Sequence, residues 1–262
     1  MRPTGVFEKV SMMHATFPAA VGRRFFDCYE EKGEKCPRVG SSVNDTPNAF
    51  GSCPGAEREF QIAVCVNPRS GRIGYWVIHG HAFGFKASIP NWCEISAAIC
   101  ILACLFFAAV TMPYVNDYTT VETEMSLGEK VHGPTGYLQY PDSAEASVWR
   151  MAHCCGSSLA TAKRRAWAIV ATSCDIETDF TRTHRNGEVR QRIRPETAVE
   201  TRCVLASHLE AASVTAAEKA SVRGKCGYMF SLGKVGRGVL QPFTDDDDEA
   251  GDGPLLENLV AA

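Results

Sequence analysis

Residues 95–115 read ISAAICILACLFFAAVTMPYV, a stretch without a charged side chain. A helix rises about 1.5 Å per residue, so this stretch would be roughly 31 Å long, about the hydrocarbon thickness of a bilayer. Asn91 and Glu94 have the spacing of a capping box ahead of it, and Pro90 disfavours an earlier start. The sequence therefore predicts a transmembrane helix over residues 94–115.

Aromatic side chains flank the predicted span. Trp92 lies at one boundary, and Tyr114 and Tyr118 lie at the other. Amphipathic rings favour the interface between membrane and water. We therefore expect these three residues to anchor the ends of the helix at the membrane surface.

Small side chains recur at every fourth position of the span, at Ser96, Cys100, Cys104 and Ala108. Helices in lipid associate mainly through close approach of their backbones, which small side chains permit. This pattern predicts a helix-packing face for a neighbouring membrane subunit. Chance is the alternative explanation, because small residues are common in membrane helices.

The chain of 262 residues leaves room for folded parts on both sides of the span. Residues 1–93 are predicted to form an N-terminal extramembrane region. It holds a β-hairpin at about 60–78, where two β-branched and aromatic runs flank a turn-forming NPRSGR segment. Residues 116–142 show no apolar face and are predicted to form an extended arm that lies along other surfaces.

Helical signals return in residues 143–243, which are predicted to be a mainly helical extramembrane region. Ser143 would cap a first helix, a second helix would cover residues 158–172, and a third would begin at Pro195. Residues 244–262 would form an acidic tail. The predicted fold class is a membrane protein with a single transmembrane α-helix, a small mixed α+β N-terminal part containing the hairpin, and a mainly α-helical, loop-rich C-terminal part.

Arginines alternate in the segment RTHRNGEVRQRIR, at Arg190, Arg192 and Arg194. On a strand these three side chains would share one face, because successive side chains point to opposite sides. Such a row could contact phosphate or a lipid headgroup. A solvated face, or an ion-pair surface between subunits, is the alternative.

Metal-ligand candidates are few, and they are the adjacent residues His153, Cys154 and Cys155. Adjacent cysteines on a helix point about 100° apart, and no surrounding spacing forms a C-x2-C knuckle, so we expect no metal site. No phosphate-binding loop, nucleophile elbow or H-E-x-x-H motif occurs. We therefore predict no catalytic residue, no cofactor and a non-enzymatic protein.

Twelve cysteines are many for a cytosolic protein, yet their spacings fit no standard framework. The disulfide state of Cys28, Cys36, Cys53 and Cys65 stays open at this point. The N-terminal segment MRPTGVFEKVSMMHATFPAAVGRRFF is basic and contains scattered Ser and Thr, which is typical of a mitochondrial targeting segment. An ordinary surface arm is the alternative.

These patterns predict a non-enzymatic, single-pass accessory subunit of a large membrane complex, first a respiratory or ATP-synthase complex of the mitochondrial inner membrane. Its partners would be other subunits, contacted through the span and the extended arms, and membrane lipids; nucleic acid is not expected. One alternative is a membrane-anchored binding or signalling protein with a basic C-terminal domain. A redox or metal enzyme is the third interpretation.

Overall fold

The computed structural model describes residues 16–53, 62–77, 80–81, 88–129, 131–132, 138–210 and 215. The helices in this part of the chain are α1 (Phe17–Glu31), α2 (Ser88–Phe107), α3 (Ala144–Cys154), α4 (Thr183–Asn186) and α5 (Pro195–Glu210). The strands are β1 (Val39–Asp45), β2 (Ile62–Val66), β3 (Ile73–Val77), β4 (Thr111–Tyr114), β5 (Asp117–Thr123), β6 (Val131–His132), β7 (Leu138–Gln139), β8 (Arg165–Ala168), β9 (Val170–Ser173), β10 (Ile176–Asp179) and β11 (Arg190–Ile193). The predicted acidic tail lies outside the described residues, as do residues 1–15 of the predicted targeting segment.

A four-stranded antiparallel sheet in the order β4-β5-β1-β8 is the centre of the fold. Its strand β1 has the polar sequence VGSSVND, yet all of its residues are buried. This strand is covered because β5 and β8 pair with its two edges and helices cover both faces of the sheet. Smaller sheets surround it: β11-β10-β9, the β2-β3 hairpin and the β6-β7 pair.

Helices α2 and α3 pack on one face of the central sheet. Tyr118 of β5 points to this face and is completely buried. The core here joins α2, α3 and β5 through Ile99, Cys100, Ala103, Ala109, Tyr118, Val148, Ala152 and Leu159. Such burial of apolar side chains supplies most of the favourable free energy of folding.

Helix α1 and the β11-β10-β9 sheet cover the opposite face. Val39 and Val121 of the central sheet meet Phe180 and Cys36 there, with aromatic side chains of α1 packed around them. Because side chains alternate along a strand, Tyr118 and Val121 of β5 serve the two different cores. The central sheet is thus buried on both faces.

The predicted membrane fold class is wrong. The structure is an α+β fold with several antiparallel sheets, and α2 packs against α3 and β4 within it. Among the described helices, α2 does have the length and composition that could cross a membrane. The core helix of a folded domain passes the same test, and here residues 111–114, predicted as the end of the span, form strand β4 instead.

The end of α2 explains why the predicted span is too long. Ala108 has a φ of 52°, a left-handed conformation that ends a helix. Its N–H still donates to the carbonyl of Cys104 at 2.9 Å, and the chain then turns into β4. The apolar composition continues through residue 110 while the backbone conformation changes.

The four small residues predicted to form a helix-packing face on α2 differ in burial. Ser96 and Cys100 are buried, but Cys104 and Ala108 are exposed. Positions four apart on a helix drift by about 40° per step, so the later members rotate away from the face defined by the first two. The buried face continues through Ala103 instead.

Residues 158–172, predicted as a helix, form a 3₁₀ turn followed by β8 and β9. The strand β8 pairs with β1, so the edge of the central sheet overrides the local helical pattern. The predicted cap of the preceding helix is confirmed, since the Ser143 hydroxyl accepts a hydrogen bond from the N–H of Ala146 at 3.1 Å.

We predict that Trp92→Phe lowers the free energy of unfolding by about 1–3 kcal/mol, measured by urea denaturation. Trp92 is completely buried, and its indole N–H donates to the carbonyl of Val115 at 2.7 Å. Phenylalanine leaves that carbonyl without its donor. Leu105→Ala is the control, because Leu105 is 74% exposed on the same helix and should change stability by no more than about 0.5 kcal/mol. Equal effects of the two substitutions would contradict this account of Trp92.

Candidate carboxylate site at the end of the central sheet

Two aspartates face each other at one end of the central sheet. Asp45 is the last residue of β1 and Asp117 is the first of β5, and the antiparallel register pairs them directly. Asp45 lies close enough to Asp117 to raise the pKa of that carboxyl. Asp45 is only 6% exposed. The pairing of two strands therefore places two acidic groups side by side in a largely desolvated position.

The β4-β5 turn that carries Asp117 is held from two sides. Val115 adopts a φ of 53° in the turn, and its carbonyl accepts the hydrogen bond from Trp92. The carbonyl of Asn116 accepts a hydrogen bond from the N–H of Thr46 at 2.8 Å. One contact comes from α2 and the other from the residue after β1, so the turn is fixed relative to both.

Asp45 has two positively polarised neighbours. The side-chain amide of Asn116 donates to its Oδ1. The ammonium of Lys163, at the end of the 3₁₀ turn before β8, lies 2.9 Å from its Oδ2. The N–H of Ala160 also donates to the backbone carbonyl of Asp45 at 2.7 Å, which ties this turn to the end of β1.

The pKa of the Asp117 carboxyl is raised, mainly because burial penalises its charged form and secondly because Asp45 lies beside it. The positive charges of Arg165 and Lys163 act in the opposite direction. Ionisation of Asp117 is therefore unfavourable at this position, and the positive charges nearby make it less so.

A hairpin of the second sheet borders the site. Cys174 and Asp175 form the turn between β9 and β10, both with positive φ, at 49° and 59°. Burial raises the pKa of the Cys174 thiol to about 11. Cys174 contributes to raising the pKa of Tyr114, and Asp117 contributes to raising the pKa of Cys174. Across the sheets, the Thr119 and Ser173 hydroxyls are 2.6 Å apart, which fastens β9 to β5.

An open groove of about 340 Å³ is lined by residues of β8 and β9. Arg165 and Arg194 lie on it, with Ala168, Val170 and Thr172 among the other lining residues. Arg165 donates to the carbonyl of Thr172 at 2.5 Å and is also close enough to Asp117 to lower its pKa. The groove thus has a basic rim, and one of its arginines, Arg165, also acts on Asp117.

The donor chemistry of the pair suits a hard divalent cation. Mg²⁺ takes oxygen ligands and is usually bound through one or two carboxylates together with substrate phosphates. Asp45 and Asp117 provide two such carboxylates. Within the described residues no group of three His, Cys, Asp or Glu could hold a metal by itself. A cation here would therefore need oxygen ligands from elsewhere.

The residues predicted as membrane anchors lie within the fold. Trp92 and Tyr118 are completely buried core residues, because α2 and β5 pack inside the domain. Tyr114 is half-buried at the end of β4, beside the aspartates. These three positions thus support the site and the core beneath it.

The predicted arginine row lies on and just after β11, and each member has an acidic neighbour. Arg190 contacts Glu188 at 2.6 Å, and Arg192 contacts Glu177 at 2.6 Å. Arg194 lies 3.3 Å from Asp175. These ion pairs lie within the chain, whereas the predicted alternative was an ion-pair surface between subunits.

The metal-ligand candidates His153, Cys154 and Cys155 lie exposed at the C-terminal end of α3. Cys28, Cys36, Cys53 and Cys65 are free thiols in the structure.

Sequence reasoning missed Asp45, Asp117 and Lys163. Asp45 and Asn116 are 71 positions apart, so no local spacing brings them together. The available signal was the Val115-Asn116 turn between TMPY and DYTTVET, two runs that could pair as a hairpin. Extending the predicted membrane helix to residue 115 concealed that turn.

Neither a protein-family model nor a curated protein matches this sequence. Solved structures do match its fold. A foamy viral protease-reverse transcriptase in complex with double-stranded DNA aligns at a TM-score of 0.53 and 13% identity, over 86% of this chain and 35% of the viral chain. The foamy viral protease-reverse transcriptase in complex with an RNA/DNA hybrid aligns at 0.50 and 14% identity, over 85% and 27%.

Telomerase from Candida albicans, in complex with a fragment of telomeric RNA, aligns at a TM-score of 0.43 and 10% identity, over 85% of this chain and 44% of that chain. This value is too low to support an argument. At these identities the viral matches show the fold alone. This chain spans about a third of the length of those viral proteins.

Two further predictions from the sequence need correction. A non-enzymatic protein was expected because no local catalytic motif occurs, but the fold is one that reverse transcriptases, which are enzymes, share. Nucleic acid was not expected as a partner, but the matching structures are nucleic-acid complexes.

We predict that Asp117→Asn raises the free energy of unfolding at pH 7 in buffer containing EDTA. Because the folded-state pKa of Asp117 is raised, the folded protein holds this proton more tightly than the unfolded chain. The carboxyl therefore lowers stability as pH rises from about 4 through its folded-state pKa. Urea midpoints of both proteins between pH 4 and 8 would measure the difference, which should grow with pH.

Asp179→Asn is the matched control with the opposite sign. The pKa of Asp179 is lowered, chiefly by hydrogen bonding to Thr181, whose N–H lies 2.8 Å from its Oδ1. Its contribution is present above the unfolded-state pKa and is lost as pH falls, so this substitution should lower stability at pH 7. Destabilisation by both substitutions at pH 7 would contradict the assignment for Asp117.

Proposed function

We propose that this chain provides the catalytic sheet of a nucleic-acid polymerase of the reverse-transcriptase type. One observation carries the proposal: Asp45 and Asp117 lie side by side at the end of a sheet whose fold matches that of a viral reverse transcriptase. The fold likeness alone would be an analogy, since one fold can serve many functions. The acidic pair gives the analogy a chemical basis.

Divalent cations supply the charge neutralisation that phosphoryl transfer requires. Asp45 and Asp117 are the residues that would hold the cation, with the remaining oxygen ligands coming from substrate phosphates. The Asn116 amide orients the Asp45 carboxylate through its hydrogen bond. Trp92 and Thr46 hold the turn that presents Asp117, so this chain fixes the positions of both carboxylates before any substrate arrives.

The proposed substrate is a nucleic-acid duplex with a primer end. The viral proteins with this fold were solved with double-stranded DNA and with an RNA/DNA hybrid. In this chain, Arg165 lines a surface groove, lies close enough to Asp117 to lower its pKa, and carries a guanidinium that suits phosphate oxygens. Arg194 lines the same groove and is paired with Asp175 and Glu196. Binding through such contacts should weaken as salt concentration rises.

The predicted accessory function in a mitochondrial inner-membrane complex stays a prediction from the sequence. No feature of the described residues adds support to it. The helix on which it depended, α2, packs one face against α3 and β4 of the fold.

We predict that the full chain binds Mn²⁺, measured by the loss of free Mn²⁺ signal in electron paramagnetic resonance. Asp45→Asn and Asp117→Asn should each weaken this binding by at least about tenfold, because each removes one of two anionic ligands. A fluorescent primer-template duplex should bind more tightly with Mn²⁺ than with EDTA, and the wild-type chain should add at least one nucleotide to the primer.

Glu177→Gln is the matched control, since Glu177 is a carboxylate on β10 that contacts Arg192 rather than the site. It should leave Mn²⁺ affinity and nucleotide addition unchanged, and circular dichroism should show that every variant folds. A wild-type chain that binds neither Mn²⁺ nor the duplex would overturn the proposal. Binding of both without nucleotide addition would overturn its catalytic part.

A further inference from the structure

The contact between Lys163 and Asp45 occupies the place where the proposed cation would bind. The Lys163 ammonium lies 2.9 Å from Asp45 Oδ2. The two side chains differ in exposure, since that of Asp45 is 8% exposed and that of Lys163 is 67% exposed. A buried carboxylate is therefore neutralised by a cation that reaches it from solvent.

The two oxygens of Asp45 have different partners. Oδ1 accepts a hydrogen bond from the Asn116 amide, and Oδ2 is 2.9 Å from the Lys163 ammonium in an ion pair that lacks hydrogen-bond geometry. A magnesium ion binds carboxylate oxygen at about 2.0–2.1 Å, so at Oδ2 it would repel an ammonium beside the same atom. A divalent cation at Oδ2 therefore favours departure of the ammonium, whereas the Asn116 amide uses a lone pair of the other oxygen.

We propose that Lys163 is an internal counter-ion that competes with the divalent cation for Asp45, so that cation binding displaces the lysine side chain. This inference rests on the proposed function, because it concerns the same acidic pair. Lys163 then has a regulatory role. It neutralises the acidic pair when no metal is bound, and it lowers the affinity of the pair for metal.

Lys163 rather than Asn116 is the partner able to leave. Asn116 lies in a turn whose backbone is held through Val115 and Thr46. The Lys163 side chain is mostly exposed, so water can take the place of Asp45 around its ammonium. The backbone of its 3₁₀ turn need not move, because the N–H of Lys163 donates to Ala160, whose own N–H is bonded to the Asp45 carbonyl.

The same anchoring keeps the lysine close after it is displaced. A tethered group has a high local concentration at its binding site, so it re-forms the contact whenever the cation dissociates. The apparent affinity for the cation is then reduced by the fraction of molecules in which Lys163 occupies Asp45.

Arg165 provides a matched control for the general effect of charge. It lies close enough to Asp117 to lower the pKa of that carboxyl, but its guanidinium donates to the carbonyl of Thr172. Removing the charge of Arg165 changes the local electrostatic potential but leaves Lys163 in contact with Asp45. Direct competition and simple electrostatic repulsion can therefore be separated.

The test compares Mn²⁺ dissociation constants of the wild-type chain, Lys163→Gln, Lys163→Arg and Arg165→Gln by electron paramagnetic resonance. We expect Lys163→Gln to tighten binding by about tenfold, because glutamine removes the competing cation. Lys163→Arg keeps the charge and should remain within about threefold of wild type, as should Arg165→Gln.

Equal tightening by Lys163→Gln and Arg165→Gln would overturn direct competition in favour of a general charge effect. Unchanged or weaker binding in Lys163→Gln, with Mn²⁺ still bound by the wild type, would also overturn this inference while leaving the proposed function intact. Absence of Mn²⁺ binding in the wild type and in Lys163→Gln alike would instead contradict the proposed function, because removing a competitor should reveal any real site.

Discussion

The antiparallel pairing of β1 with β5 is the interaction on which the rest of this structure depends. It runs from Val39 opposite Thr123 to Asp45 opposite Asp117. Since β1 is polar yet buried, its stability depends on satisfying backbone groups along both edges and on polar side chains finding partners. Gly40 shows how closely the sheet is covered, because a Cβ there would lie 2.5 Å from the ring of Trp167.

Buried charged groups of the domain lie on or beside the same strand pair. Glu122 of β5 accepts a hydrogen bond from the N–H of Ala144 at 2.8 Å and so satisfies the start of α3. Burial raises the pKa of Glu122, and the hydrogen bonds that it accepts oppose this. On α3, Glu145 forms a buried ion pair with Arg164 at 2.5 Å, close to the turn that carries Lys163. Carboxylates near both ends of β5 therefore have specific partners, and the pKa values of Glu122 and Asp117 are nevertheless both raised by burial.

The sequence predicted local features well where the deciding contacts are local. Ser143 caps α3 because its hydroxyl needs only the N–H of Ala146, three residues away. The start of α5 at Pro195 follows from the preference of proline for the first turn of a helix. Residues 158–172 show the opposite case, since pairing of β8 with β1 replaced a plausible helical pattern by strand.

The sequence by itself determined that residues 95–107 are helical and strongly apolar, but it could not determine what surrounds them. A bilayer and a protein core both bury apolar side chains, and only the tertiary structure shows that one face of α2 packs against α3 and β4 while Leu105 and Phe106 stay exposed. The acidic site was likewise determined by the tertiary structure. Carboxylates interact over a few ångströms of space rather than along the chain, and the β1-β5 register alone brings Asp45 to Asp117.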